Sequence, residues 1–214
     1  MAKMSGNARK VTESRMTRDL NSLSNSSDWF IRTGMRRYSE DPNKQSYDYS
    51  DMRDLSEEEK TFLVAYLSNA YRIVNATLRG EASSSEADTL AKYVSRSLTK
   101  LQSYTGTVYR GENFDNAGDT RRESKAKYEN RLSQLKSSVG KDIVFQSFIS
   151  ASASKDRAVK KFASGDKAIV FEIESKYGKD LRRYNDSEKE VLFDKNSKFK
   201  VLSVRGNKVK LKQL

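Results

Sequence analysis

Between residues 56 and 101 apolar residues recur every three to four positions, and beyond Gly106 they tend to recur every second position. The first period belongs to helices and the second to strands with one covered face. Ser56 with Glu59 three residues later has the spacing of a capping box, in which each side chain satisfies a free amide at the helix start. Leu63, Leu67, Ala70, Val74 and Leu78 follow at helical spacing, and Gly80 supplies a stop. A second helix is predicted from near Ser85, with Asp88 at the capping-box position and Leu90, Val94, Leu98 and Leu101 as its stripe. Stripes of this kind pack into a core. Residues 1–50 are instead rich in Ser, Asn, Arg and Lys with sparse apolar positions. Val11 to Leu23 reads as a short amphipathic helix, and the stretch around Pro42, the only proline, as a loop. The expected division is a polar, mobile N-terminal extension over 1–50 and a single domain over 51–214.

The second half of the chain reads differently. Thr107 to Arg110 is a short strand candidate ending at Gly111, and Asp119 to Val139 a charged surface helix. Ile143 to Ser150 reads as a strand running on to Ser152, Ser154 to Ala163 as a helix and Lys167 to Glu174 as a strand. Glu188 to Phe193, Phe199 to Val204 and Lys208 to Leu211 complete a β-rich half with no internal repeat. Helices first and mainly strands afterwards make the fold class α+β rather than doubly wound α/β.

Composition narrows the chemistry. The 214 residues are 36% hydrophobic and 33% charged, suited to one polar globule. There is no cysteine and no histidine. Disulfides, thiolate nucleophiles, Ser-His-Asp catalysis and histidine-bound zinc are thereby excluded. Any acid–base work falls to Asp, Glu, Lys or Tyr. The formal net charge of +12 favours acidic partners, a nucleic acid or an acidic protein surface, although a merely solvated basic surface fits it equally. No apolar run approaches the roughly 20 residues that would span a membrane. The basic segment Met1 to Val11 lacks the apolar stretch of a Sec-type signal peptide, which leaves other delivery routes open.

Three small constellations carry candidate chemistry. Glu188 and Glu190 sit two apart in a strand-like segment, so both carboxylates would share one face. Like charges so placed repel unless function or a cation holds them. An exposed strand end with two solvated carboxylates is the commonplace alternative. Ser150 and Ser152 likewise share a face, where a hydroxyl can orient a carboxylate. Arg110 offers a planar fork suited to phosphate, and Gly111 allows a ligand close to the backbone. Each of these is common on protein surfaces when taken alone.

Together, and in this order, they resemble the arginine–serine–glutamate class of ADP-ribosyltransferases, which includes bacterial toxins and phage enzymes. Phe148-Ile149-Ser150-Ala151-Ser152 resembles the family's aromatic-x-Ser-Thr-Ser segment, with Ala in place of the usual Thr. Ala158, Phe162-Ala163 and Ile169-Val170-Phe171 resemble the helix and strand that follow it. Glu188-Lys189-Glu190-Val191-Leu192 and Ser197 to Val201 are similar to the catalytic strand and its successor. Tyr66, Asn75, Leu78 and Arg79-Gly80 resemble an upstream helix, and the resemblance covers about residues 55–214.

The resemblance implies two roughly perpendicular antiparallel sheets with NAD, as substrate, held between them and no metal. It implies that Arg110 contacts the NAD phosphates, Gly111 the nicotinamide amide, and that Phe162 stacks nearby. Ser150 would hold Glu190, with Ser152 also at the NAD site. Glu190 would stabilise the cation formed as nicotinamide leaves, and Glu188 would address the acceptor, with Glu there implying arginine. Tyr184 is similar to the family's target-recognition aromatic, Arg157 is a loosely aligned phosphate contact, and Ser147 has no assigned role. The expected function is transfer of ADP-ribose from NAD to a target protein's arginine, in the cytoplasm of a host or target cell, by a toxin or phage product. The alternatives are an NAD glycohydrolase on the same scaffold, a basic nucleic-acid-binding module using some of the 11 Tyr and 9 Phe, and RNA as the acceptor.

Overall fold

The structure, a computed structural model, describes residues 6–41, 46–115, 118–163 and 165–214, with side chains from Arg15 onward. The chain divides into two compact units, Met1–Ser46 with Met52–Leu101 and Tyr47–Asp51 with Gln102–Leu214.

The first unit is helical: α1 (Gly6–Ser24), α2 (Trp29–Ser39), α3 (Glu57–Ala65), α4 (Tyr71–Leu78) and α5 (Ser85–Lys100). The Ser56–Glu59 capping box is present, with Ser56 Oγ accepting from the Glu59 amide at 3.3 Å and Glu59 accepting from the Ser56 amide at 3.0 Å. Glu59 is also buried, and it pairs with Lys100 Nζ at 2.6 Å, so the cap ties α3 to the end of α5. The predicted single helix after Ser56 is interrupted by one π-helical turn, Tyr66–Ala70. That turn shifts the phase: Leu63, Ala70 and Val74 stay buried while Leu67 and Leu78 are only partly covered. The α5 cap is Ser84, whose Oγ accepts from the Ala87 amide at 3.1 Å, one residue earlier than expected and without a box through Asp88. All four residues of the α5 stripe are buried.

The expected boundary at residue 50 is not where the chain divides. α2 buries Ile31, Met35 and Tyr38, and Gly34 lies so close to α3 that a Cβ there would sit 2.7 Å from the Ala65 carbonyl oxygen. Three apolar residues at i, i+4 and i+7 suffice to seat a helix, and an average over fifty polar residues hides them. The expected loop around Pro42 lies outside the described residues.

The second unit holds β1 (Ser103–Asn113), α6 (Arg121–Ser137), β2 (Asp142–Phe145), β3 (Ile149–Ser152), α7 (Lys155–Phe162), β4 (Ala168–Leu181), β5 (Glu190–Phe193), β6 (Ser197–Arg205) and β7 (Lys208–Gln213). The α+β order holds, with refinements. The strands form one hydrogen-bonded network, β1-β3-β5-β4-β7-β6-β2, rather than two separate sheets, and β1 also pairs with β4. The long strand β4 is shared: Val170 to Glu174 lie between β1 and β7, and Lys179 to Leu181 pair with β5. The β4–β7 ladder is parallel, so the network is not wholly antiparallel. The single strand expected over 143–150 is two strands, β2 on β6 and β3 on β5. Ser147, Phe148 and Ile149 are all buried, which breaks the period of two between them. A capping box at Thr120–Glu123, which the sequence reading passed over, starts α6.

The core of this unit is aromatic. Phe193 meets Phe199 edge to face at 5.3 Å, and Phe145 meets Phe199 and Phe171 in the same manner at 5.5 and 6.2 Å. Phe193 is fully buried at the other end of β5 from Glu190. Phe193→Ala should lower unfolding free energy by about 3–5 kcal/mol in urea titration. A loss below about 1 kcal/mol would deny this cluster its part in fixing β5.

Candidate active site

Glu190 opens β5 with Ser152 as its partner on β3 and Leu181 as its partner on β4. It is 4% exposed. Ser150 lies two residues before Ser152 and so on the same face as Glu190, a diagonal neighbour across the ladder. Ser150 Oγ donates to Glu190 Oε1 at 2.6 Å, and Asn185 Nδ2 donates to Oε2 at 3.0 Å. Burial pushes the Glu190 carboxyl above its ordinary pKa, and the nearby Glu188 charge adds to this. The Ser150 and Asn185 bonds and the Lys161 charge oppose it.

Glu188 reaches the site by another route than expected. It lies outside β5, in a run of turns over 182–189, and Lys189 between the two glutamates has φ 51°. A left-handed residue breaks the alternation that would put both side chains on one strand face. Asn185 organises the turn: its carbonyl accepts from the Glu188 and Lys189 amides at 3.1 and 2.8 Å. Ser152 Oγ donates to the Glu188 carbonyl and accepts from the Ser154 amide at 3.0 Å. The two carboxylates therefore come together in different surroundings. Glu190 is dry, whereas the Glu188 side chain is 21% exposed and ion-paired with Lys161 on α7.

Arg110 and Ser150 are brought together as well. Arg110 Nη1 donates to the Ser150 carbonyl at 2.9 Å, so it braces the strand that holds the Glu190 hydroxyl partner. Its Nε is buried with no hydrogen bond, 3.7 Å from Glu112 Oε1. At Gly111 a Cβ would lie 2.6 Å from the Phe162 carbonyl carbon and oxygen and 2.9 Å from Ala163 Cβ. On the side where a Cβ would stand, Gly111 is thus covered by the end of α7. That close seating fixes Phe162, which is 40% exposed.

Other expectations shift. The Ser152 hydroxyl is committed to the chain's own backbone. Tyr184 is buried rather than presented for recognition: it stacks on Tyr47 at 5.1 Å and lies 5.5 Å from Tyr49, while Asp51 accepts from its amide. Arg157 donates to the Asp186 carbonyl, and Ser147 is buried. In the first unit Asn75 Nδ2 donates to Tyr66 Oη at 3.2 Å, and Arg79 forks onto Glu81 at 2.8 and 2.7 Å. Asn185 and Lys161 are the site residues that sequence reading missed. Nothing in their spacing marks them, because both arrive through the turn and the seating of α7. Among the described residues no group of three or more Asp or Glu is arranged to hold a metal ion, and no helix is long and apolar enough to cross a membrane.

A buried carboxylate gripped by a serine of the neighbouring strand, on a β network preceded by helices, is the centre of the site. Residues 42–213 match the ADP-ribosyltransferase exoenzyme family model, and the chain belongs to that family, whose members use NAD as substrate. Solved structures with the same fold include the ADP-ribosyltransferase HopU1 of Pseudomonas syringae pv. Tomato DC3000, 21% identical over 94% of this chain and 97% of that one, with a TM-score of 0.64. Exoenzyme S from Pseudomonas aeruginosa, in complex with human 14-3-3 protein beta and bound to Carba-NAD, is 15% identical over 93% and 88% with a TM-score of 0.62. The ADP-ribosyltransferase Vis of Vibrio splendidus, in complex with agmatine, is 19% identical over 92% and 89% with a TM-score of 0.59. No curated protein matches the chain.

The raised pKa of Glu190 has a thermodynamic consequence. Its folded-state value lies above the ordinary 4.5, so its stabilising contribution is fully present below 4.5 and is lost as pH rises through the folded value. Glu190→Gln, which carries no charge, should therefore gain in melting temperature relative to the parent as pH is raised from 4 to 8. A constant difference across that range would mean that Glu190 is not held as a desolvated acid.

Proposed function

We propose that this ADP-ribosyltransferase delivers ADP-ribose to arginine side chains of a target protein, with Glu190 serving NAD and Glu188 serving the acceptor. The observation that carries this reading is the unequal pair of carboxylates. Glu190 is buried, oriented by two hydrogen bonds, and suited to stabilise positive charge that appears on the ribose only as nicotinamide leaves. Glu188 is partly exposed and already holds a cation. A guanidinium has a pKa above about 12 and needs a carboxylate to orient it and take its proton as the new bond forms. Glu188 suits that task. The Vis complex with agmatine, a guanidinium compound, supports the same acceptor chemistry.

For NAD, the buried and unbonded Nε of Arg110 is a donor suited to phosphate oxygen, and the half-exposed Phe162 ring is a stacking surface for nicotinamide. The Carba-NAD complex of exoenzyme S supports an NAD site on this fold. Ser150 is a positioning residue for Glu190, and Ser152 for the Glu188 backbone. A chain with no cysteine suits work in the cytosol of a recipient cell.

The test uses agmatine and labelled NAD. Glu188→Gln should lower transfer to agmatine by about 10²–10³-fold while NAD cleavage persists, and Glu190→Gln should lower both by at least that factor. Undiminished agmatine modification by the Glu188 variant would remove arginine from this reading. Free ADP-ribose as the parent's sole product would make the chain a glycohydrolase instead.

A further inference from the structure

The acceptor carboxylate is not bare. Lys161, the penultimate residue of α7, places its ammonium on Glu188 Oε1, and its side chain is 54% exposed. The helix itself is firmly held. Gly111 admits its end, Arg157 binds the Asp186 carbonyl, and the Ser154 amide shares Ser152 Oγ with the Glu188 carbonyl. A fixed helix thus carries one cation on a long solvated stem to the one carboxylate that an incoming guanidinium would need.

From this we infer that Lys161 is a displaceable stand-in for the acceptor: it occupies Glu188 while no acceptor is bound and yields to a guanidinium but not to water. The inference rests on the reading of Glu188 as the acceptor carboxylate. A half-exposed ion pair is weak enough to exchange. An ammonium is a point charge engaging one oxygen, whereas a guanidinium presents a planar fork to both. A target arginine therefore gains a second hydrogen bond over the occupant, and a target lysine gains none against a competitor already tethered at high effective concentration. The contact thereby favours arginine over lysine without any further pocket.

It also guards against hydrolysis. In that reaction water oxygen bonds to the anomeric carbon of the ADP-ribose as the bond to the nicotinamide nitrogen breaks. The bonding pair leaves with neutral nicotinamide, and the water proton passes to a carboxylate and then to solvent. Glu188 could accept that proton as readily as one from a guanidinium. An ammonium on Oε1 occupies the lone pair that would receive that proton until an acceptor takes its place.

The experiment measures ADP-ribose release from NAD without acceptor, and kcat and KM for agmatine, in the full chain. Lys161→Met should raise acceptor-free hydrolysis and lower the agmatine KM, each about two- to five-fold, with kcat for transfer little changed. Lys161→Arg, an internal guanidinium, should raise that KM. Lys160→Met removes a charge from the same turn of α7 and should behave as the parent. Both effects of Lys161→Met should vanish in a Glu188→Gln background. Unchanged hydrolysis and KM, equal changes in the Lys160 variant, or effects that persist without Glu188 would each overturn the inference. A parent that never modifies agmatine would sink the arginine reading alone, since the hydrolysis comparison still decides whether Lys161 guards Glu188. Lys161→Gln serves the same measurements if the Met variant does not fold.

Discussion

The hydrogen bond from Ser150 to the buried Glu190 carboxylate is the constraint around which the second unit is arranged. A carboxylate removed from water is costly unless donors replace its solvent. Here one donor comes from the adjacent strand and the other, Asn185, from the turn that leads into β5. The first requires that β3 and β5 hold the register Ser152 opposite Glu190. That register rests on Ile149 opposite Phe193, a buried pair, so the aromatic core and the site are fixed by one ladder. Arg110 then ties β1 to the backbone of Ser150 itself.

The second donor has wider consequences. Asn185 bonds Glu190 through its side chain and the Glu188 and Lys189 amides through its carbonyl. One residue therefore couples the dry carboxylate to the turn that presents the wet one. Behind the turn, Tyr184 packs into a cluster with Tyr47 and Tyr49, and Asp51 accepts from the Arg183 and Tyr184 amides. This is why a short stretch far upstream, 47–51, belongs with the second unit. The turn is held from three sides: by this cluster, by Ser152 and by α7.

Much of this was legible in the residues, and the parts that were not have definite causes. Period and capping located α3, α5 and the strands around Val108, Phe171, Val201 and Val209, because burial imposes those periods directly. The split between β2 and β3 was hidden because Gln146 to Phe148 keep a strand-like composition while the backbone leaves the ladder. The grouping of Arg110, Ser150 and Glu190 was visible as a resemblance, whereas Asn185 and Lys161 were not visible at all. The approach of α7 to Gly111 was not visible either, since a glycine reports a close approach without naming what approaches. The expectation that Glu188 and Glu190 share a strand face failed at a single dihedral angle, that of Lys189. A non-glycine residue at positive φ leaves no mark in composition; it is stabilised here by the Ala153 amide on the Lys189 carbonyl and by the Asn185 carbonyl on its amide.

That one dihedral explains how two like charges can coexist. On a regular strand both carboxylates would face the same low-dielectric surroundings, and one would have to give up its charge or find a cation there. The turn at Lys189 instead gives them different solvents. Glu190 is left with the neutral donors Ser150 and Asn185, which orient it. Glu188 is left at the rim, where Lys161 balances its charge. In a chain with a net charge of +12 and no histidine, cations to balance a rim carboxylate are abundant and neutral bases are scarce. The two acids therefore differ in depth: Glu190 is buried on neutral donors and feels Lys161 only through its charge, whereas Glu188 at the rim is paired with that lysine directly.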